Sequence, residues 1–411
     1  MTSVADLLRP NDTVLVGSGL AEPRQLVDEL VAASKDIGPL NIIQLMTGSQ
    51  EAVVGASRDG VRLRTPSPGP RAQELIDTGD ADLMVASLGQ LSSWIRTGRL
   101  RVDVVLAQAC RRAAPLPGVV VDVIDSAMET ARARALEFVD ALPEIPSDVR
   151  WSAKDADLVV ESSYTLATRP LPHKDGRYAR IGQLIASLIP DGATVEIGVG
   201  AALSQVSDAL VQAGRRNLAV HSGLVTDWVM DLVEAGVVSR RLGCGSGASV
   251  VGTMVFGSPA LYRWAHRNDR LRMVASDHSH GPAHLATLDN FFAINSALEV
   301  DIFGAVNVTR LGDRIRPSGG LLDFVAGASH AGTCVFAVPS HRIVARAQVA
   351  SVPAEFVTHV VTEYGIADLR GLSPSGRANA LIAIAHPDNR AALRQGEEAM
   401  AGNIESSSQV G

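Results

Sequence analysis

Short apolar, β-branched runs alternate along the chain with stretches whose apolar residues recur every three to four positions. Thr13-Val14-Leu15-Val16 reads as a strand, and Pro23 then opens a helix with Leu26, Val27, Leu30 and Val31 on one face. Proline suits a first helical turn because the N–H it lacks would have no partner there. Further strands are expected at Ile42 to Leu45, Leu83 to Ala86, Val102 to Leu106, Val119 to Val123 and Asn217 to Val220. Strands separated by helical stretches need crossover connections, which points to parallel sheets flanked by helices.

The pattern restarts halfway. Asp12-Thr13-Val14-Leu15-Val16-Gly17-Ser18-Gly19 has a counterpart in Ala193-Thr194-Val195-Glu196-Ile197-Gly198-Val199-Gly200. Gln25-Leu26-Val27-Asp28-Glu29-Leu30 is echoed by Gln205-Val206-Ser207-Asp208-Ala209-Leu210, with one residue lost between. A repeat this far apart implies two α/β domains of similar plan rather than a short-period solenoid. The stretch from Thr168 to Gly176 is rich in turn formers, so the domains are expected at residues 1–172 and 173–411.

Several ordered motifs lie in the second half: Phe292-Ala293-Ile294-Asn295-Ser296-Ala297-Leu298-Glu299-Val300-Asp301, Gly319-Gly320-Leu321-Leu322-Asp323-Phe324-Val325, Val361-Thr362-Glu363-Tyr364-Gly365-Ile366-Ala367-Asp368-Leu369-Arg370-Gly371 and Ile384-Ala385-His386-Pro387-Asp388. Together they resemble the acetyl-CoA hydrolase/transferase family, in particular its 4-hydroxybutyrate and acetate CoA-transferase branch. The resemblance implies two similar CoA-transferase-type α/β domains, each with a mostly parallel sheet flanked by helices. It also implies a coenzyme A thioester as substrate, with no permanently bound cofactor. Gly319 and Gly320 would line the loop at the thioester, followed by a strand, and Glu363 and Asn295 would belong to the retained binding set.

The departures are as informative. In the family the strand after Asn217 ends in His-Thr-Glu or His-Ser-Glu, and the Glu is the covalent nucleophile. Here the run is His221-Ser222-Gly223, so the position of that carboxylate holds a residue with no side chain. The glycine loop reads Arg316-Pro317-Ser318-Gly319-Gly320-Leu321, with proline in place of one glycine and leucine in place of the usual Gln. The segment at Cys110 to Pro117 is shortened, and Ile145-Pro146-Ser147 stands for a reduced Met-Pro-Arg motif.

Composition bounds the remaining classes. At 411 residues the chain exceeds one ordinary core. Its 46% hydrophobic and 20% charged residues are those of a globular protein, and a net charge of −7 argues against a nucleic-acid surface. No apolar run reaches the ~20 residues of a membrane span, and the start lacks a signal-peptide pattern. Cys110, Cys244 and Cys334 are too widely spaced for a disulfide framework or a zinc site. A cytoplasmic protein with a small-molecule acyl-CoA or thioester partner, without nucleic acid or membrane, is expected. Family habit implies a homodimer.

Gly17-Ser18-Gly19 and Gly198-Val199-Gly200 each end a strand and precede a helix, a turn that suits phosphate or an oxyanion when its N–H groups are exposed. Tight turning alone also explains them. Glu196 interrupts an apolar strand where the family usually carries Gln, and a buried carboxylate needs a partner or a task. If the next strand pairs with it in parallel, Glu196 is a candidate general base for water, its pKa raised by apolar surroundings. Cys244, between glycines, is a weak candidate nucleophile, with His221, His278, His280 and His284 as candidate bases, but an inert thiol and a polar pocket also account for them. No ligand pattern for a metal is present. The expected function is cleavage of an acyl-CoA or related thioester without a glutamyl-CoA intermediate, by hydrolysis or a retro-Claisen step. An inactive acyl-CoA-binding pseudoenzyme and a transferase with a substitute nucleophile are the alternatives, and relaxed motifs also suit a specialised biosynthetic step.

Overall fold

In a computed structural model of the chain, the described residues are 2–47, 52–56, 60–111, 116–151, 153–168, 175–243, 247–312, 314–315, 318–330 and 332–407. The chain forms two compact units. The first comprises Met1–Leu171, His221–Met230 and Arg241–Gly281, and the second Pro172–Val220, Asp231–Arg240 and Pro282–Gly411.

The first unit contains β1 (Thr13–Val16), helix α1 (Arg24–Ile37), β2 (Leu40–Gln44), β3 (Val61–Thr65), β4 (Ala81–Leu83), β5 (Val104–Cys110), β6 (Ala133–Val139) and β7 (Leu158–Ser162). They pair in parallel in the order β4-β3-β2-β1-β5-β6-β7, with Leu116–Pro117 folding back antiparallel on β5. One face carries Val14, Val16, Ile42 and Leu106 beneath Leu26, Val27 and Leu30 of α1, the stripe expected from the sequence.

Val119 to Val123 does not form the expected strand. Val120 makes one isolated antiparallel bridge to Met254, and the chain then turns at Asp122, whose φ is 33°. The Asp122 Oδ1 accepts the Ile124 N–H at 2.9 Å, a local side-chain bond that starts the helix Ile124–Thr130 in place of an extended run.

The second unit contains β8 (Thr194–Ile197), the Ala219 and Val220 part of β9 (Ala219–His221), β10 (Phe291–Ser296), α2 (Leu321–Ala328), β11 (Thr333–Ala337), β12 (His359–Thr362) and β13 (Gly365–Asp368). Its strand order is β9-β8-β10-β11-β12-β13, parallel except for the last pair. β9 therefore does pair in parallel with β8. The segment after Gly319-Gly320, expected as a strand, is helix α2. Its Phe324, Val325 and Ala328 repeat at helical spacing and pack with Phe291, Cys334 and Phe336 of the sheet.

Both units are mixed α/β, with large, mostly parallel sheets and covering helices. In each, the first strand is internal: β1 lies between β2 and β5, and β8 between β9 and β10. The turns Gly17-Ser18-Gly19 and Gly198-Val199-Gly200 therefore leave the carboxyl ends of strands whose neighbours lead in opposite directions. This switch point is where open α/β sheets take ligands. Among the described residues, no helix is long and apolar enough to cross a membrane.

Candidate active-site residues

Glu196 takes the place in the repeat that Leu15 holds in the first unit. Leu15 is fully buried, and Glu196 is only 4% exposed. Glu196 is in register with Ala293 of β10, and Ala293 with Cys334 of β11, so the carboxylate shares a sheet face with a methyl group and a buried thiol. Asn295, two residues along β10 on the same face, donates Nδ2–H to Glu196 Oε2 at 2.8 Å. Burial pushes the Glu196 pKa up to about 8, against the opposing pull of Asn295 and the Ile294 backbone. Burial, then the Glu196 charge, push the Cys334 thiol up to about 12, so it stays protonated at neutral pH. At pH 7 Glu196 is mostly a neutral acid, and it becomes a base as pH approaches 8.

The adjoining turn is built around this pair. A Cβ at Gly198 would collide with Asn295 Oδ1, and one at Gly200 with Ser296 Oγ. Glycine at these positions lets the end of β10 close against the turn. Between them Val199 is 62% exposed. The Gly198 N–H is spent on the Ile294 carbonyl at 2.8 Å. Likewise, in the first unit, the Gly17 N–H donates to Leu106 O at 2.9 Å and the Gly19 N–H to Met46 O at 2.8 Å. These three amides complete the sheet edge and are not aimed at a ligand. Gly19, with φ of +53°, also needs glycine for its backbone.

Gly319 and Gly320 precede α2, with Gly320 as its N-cap. A helix that feeds a parallel strand begins at that strand's carboxyl edge, so this turn lies on the same edge of the sheet as Asn295 and the 198–200 turn. Glu363 follows β12 at that edge too, but its oxygens are engaged: Ser340 donates its N–H to Oε2 at 3.0 Å and its hydroxyl to Oε1 at 2.5 Å. Glu299 accepts from Asn307 Nδ2 and Gln348 N–H, and Asp301 from the N–H groups of Phe303 and Ala305. Those two acids fasten loops. Ser296 and Ser340 were not singled out by sequence; only their places beside Asn295 and after Pro339 signalled them.

His221 and Gly223 belong to the first unit. His221 is fully buried, and its Nε2 lies 3.1 Å from Ser279 O; a carbonyl only accepts, so Nε2 carries the proton. The His278 ring stands 6.2 Å away. His280 is held at about 3 by burial, with Nδ1 2.8 Å from Ser279 Oγ, and is neutral at any working pH. His284 lies in the second unit, and among the described residues no three His, Cys, Asp or Glu side chains gather as metal ligands. Gly223 is half-buried, and its carbonyl accepts from the N–H groups of Thr253 and Met254 at 3.3 and 3.1 Å. Its backbone is fixed where Leu224-Val225 pairs with Met254-Val255. Cys244, Arg316 and Pro317 lie outside the described residues.

Comparison with known proteins adds four findings. The sequence model of the acetyl-CoA hydrolase/transferase C-terminal domain matches residues 257–397. The 4-hydroxybutyrate coenzyme A transferase of Clostridium kluyveri is 30% identical over 399 residues, covering 92% of each chain. An acetyl-CoA hydrolase of Candida albicans is 28% identical over 229 residues, 52% of this chain and 41% of that protein. Among solved structures, RipA from Yersinia pestis superposes with a TM-score of 0.88 at 25% identity, covering 97% of each chain.

Proposed function

The chain belongs to the acetyl-CoA hydrolase/transferase family, and on that footing we propose that it cleaves an acyl-CoA or related thioester without forming a glutamyl-CoA intermediate. The names of its relatives cover both transfer and hydrolysis, which supports a coenzyme A thioester as substrate. The observation that carries the rest is Gly223: after His221-Ser222, where the resemblance expects a nucleophilic carboxylate, there is no side chain to attack the thioester.

Water is then the simplest nucleophile. Its oxygen adds to the thioester carbonyl carbon while ionised Glu196 accepts its proton. The C–S bond then breaks, and that proton passes to the departing thiolate, leaving acid and free thiol. Backbone N–H groups of the Gly319-Gly320 turn are the candidate oxyanion donors, since those of Gly17, Gly19 and Gly198 are already bonded. His221, its ring fixed by Ser279, is the second candidate acid–base group. A retro-Claisen cleavage of a β-keto acyl-CoA uses the same parts: water attacks the keto carbon, a C–C bond breaks, and the proton goes to the leaving enolate.

The test is incubation with a panel of acyl-CoAs, with and without acetate, following free thiol and acyl exchange. Thiol release that does not need acetate is expected. Exchange without release would sink the proposal in favour of a substitute nucleophile, and neither would mark an acyl-CoA-binding pseudoenzyme. A Gly223→Glu variant is expected to gain acetate-dependent exchange, and an inert variant would mean that the CoA pocket itself has been remodelled.

A further inference from the structure

Asp122 is the single acid in the run Val119-Val120-Val121-Asp122-Val123-Ile124, and it is fully buried. Its φ of 33° lies in the left-handed region, which aspartate enters more easily than most residues but still at a cost. Its Oδ1 accepts the Ile124 N–H at 2.9 Å, and its Oδ2 accepts the Ser18 hydroxyl at 2.8 Å. Burial pushes its pKa up to about 6 against these bonds and one from the Val123 N–H, so it is ionised at neutral pH. Closing a turn onto Ile124 does not explain that cost. Asparagine or serine would accept the same N–H without burying a charge. An ionised carboxylate differs in that it only accepts, on both oxygens. It therefore obliges the Ser18 hydroxyl to donate, and its side chain is held from two sides.

The backbone of Asp122 points outward to two further segments of the same unit. Its N–H donates to Thr253 Oγ1 at 2.8 Å, and the Thr253 N–H donates in turn to Gly223 O at 3.3 Å. Its carbonyl accepts the Ser276 N–H at 3.1 Å, at the start of the short helix Ser276–Ser279. That helix ends on Ser279, whose carbonyl accepts from His221 Nε2. Two routes thus run from Asp122, one to Gly223 and one to the His221 ring, on either side of Ser222. Thr253 and Ser276 are fully buried, so the bonds along both routes lie away from bulk solvent, where they hold most firmly.

We propose that Asp122 is a positioning residue for thioester cleavage, setting Gly223 through Thr253 and the His221 ring through the helix Ser276–Ser279. The proposal rests on the reading that this protein cleaves a thioester with His221 as an acid–base group. The carboxylate is the anchor, with Ser18 and Ile124 as its fixed points. The N–H and carbonyl of the same residue carry the placement outward. Because one residue feeds both routes, a small rotation of its backbone shifts Gly223 and His221 together, and a displacement of about 1 Å at a reacting group costs about 10²-fold in rate. A buried charge and a left-handed backbone are tolerated at Asp122 for that placement.

The full-length chain is compared with its Asp122→Ala, Asp122→Asn and Thr253→Val variants by thiol release from acyl-CoA and by imidazole nitrogen NMR. The His221 signal is identified by its absence from His221→Gln. Asp122→Ala is expected to lower kcat about 10²-fold at little-changed KM, and to replace the single Nε2–H form of His221 by mixed tautomers. Asparagine keeps both side-chain contacts, its Oδ1 accepting from Ile124 and its Nδ2 donating to Ser18 Oγ, so Asp122→Asn should restore both readouts. Thr253→Val keeps the side-chain shape and deletes the acceptor on the route to Gly223. It should lower kcat with the His221 signal unmoved, and it decides the matter if Asp122→Ala does not fold. A lowered Tm in Asp122→Ala with unchanged kcat and an unmoved His221 signal overturns the proposal and leaves Asp122 a turn-closing residue. An asparagine variant as impaired as the alanine one, or a Thr253→Val variant with the parent's kcat, overturns it too. If the parent releases no thiol from any acyl-CoA, the cleavage reading fails by itself. The His221 signal then judges the placement alone: mixed tautomers in Asp122→Ala support it, and an unmoved signal refutes it.

Discussion

Replacing Glu196 by Gln separates stability from catalysis, because the same burial that suits the carboxyl to proton transfer makes its ionised form costly. The group goes from an ordinary value of 4.5 to about 8 in the folded chain. Folding thus favours the protonated form, so its contribution is fully present below about pH 4.5 and is lost as pH rises toward 8. Each pH unit in that window costs about 1.4 kcal/mol, giving about 3 kcal/mol at pH 7 and about 5 kcal/mol above pH 8. An amide never ionises, and its oxygen still accepts from Asn295 Nδ2. Glu196→Gln is therefore expected to match the parent near pH 4.5 and to exceed it by about 3 kcal/mol at pH 7, a large part of the ~5–15 kcal/mol stability of a domain. Urea unfolding of both proteins from pH 5 to 9 measures the difference. Thioester hydrolysis should meanwhile fall by about 10²–10⁴-fold, and the parent's kcat should rise with pH through about 8. A stability difference that stays flat with pH would refute the buried-acid argument. Unchanged hydrolysis in the Gln variant would remove Glu196 as the base.

Gly198→Ala forces a Cβ into Asn295 Oδ1 and is expected to cost about 1–3 kcal/mol, read by denaturation; an unaltered midpoint would show that the turn has slack. Asn295→Ala deletes the donor that holds Glu196 down, so the pH at which stability stops falling should move above 8, while an unmoved profile would mean the amide bond contributes nothing to the ionised form. Ser340→Ala leaves Glu363 short of one hydrogen bond and should lower stability by about 1–3 kcal/mol. If it instead abolishes hydrolysis at unchanged stability, Glu363 acts on substrate and its bond to Ser340 is incidental.

The parallel sheets were legible because strand and helix periods alternate without interruption from Thr13 to Leu30 and again from Thr194 to Leu210. Glu196 was legible for a related reason: one acid in an apolar strand contradicts its neighbours, and the repeat sets it opposite a core leucine. Two elements were misjudged where local chemistry outweighed composition. Val119 to Val123 is as β-branched as any strand, yet one Asp122 side-chain bond turns the chain. The strand after Gly319-Gly320 was what the resemblance implied, and the residues from Leu321 to Ala328 form a helix instead.

The two glycine turns look alike in sequence but are limited in different ways. In the first unit both glycine N–H groups close onto neighbouring strands, and the turn rests on Glu22 and Asp122, which accepts the Ser18 hydroxyl at 2.8 Å. In the second unit the glycines make room for Asn295 and Ser296, and an exposed Val199 stands between them beside a buried acid. A turn whose glycine N–H groups are already bonded offers a substrate no donor from them. The other places a titratable group, an amide and an apolar side chain at one strand end, the parts that the proposed attack of water on an acyl carbon would use. If the proposed chemistry runs with no side chain at Gly223, it is expected at this second turn, and substitutions there should alter kcat where matched changes at Gly17 or Gly19 alter only stability.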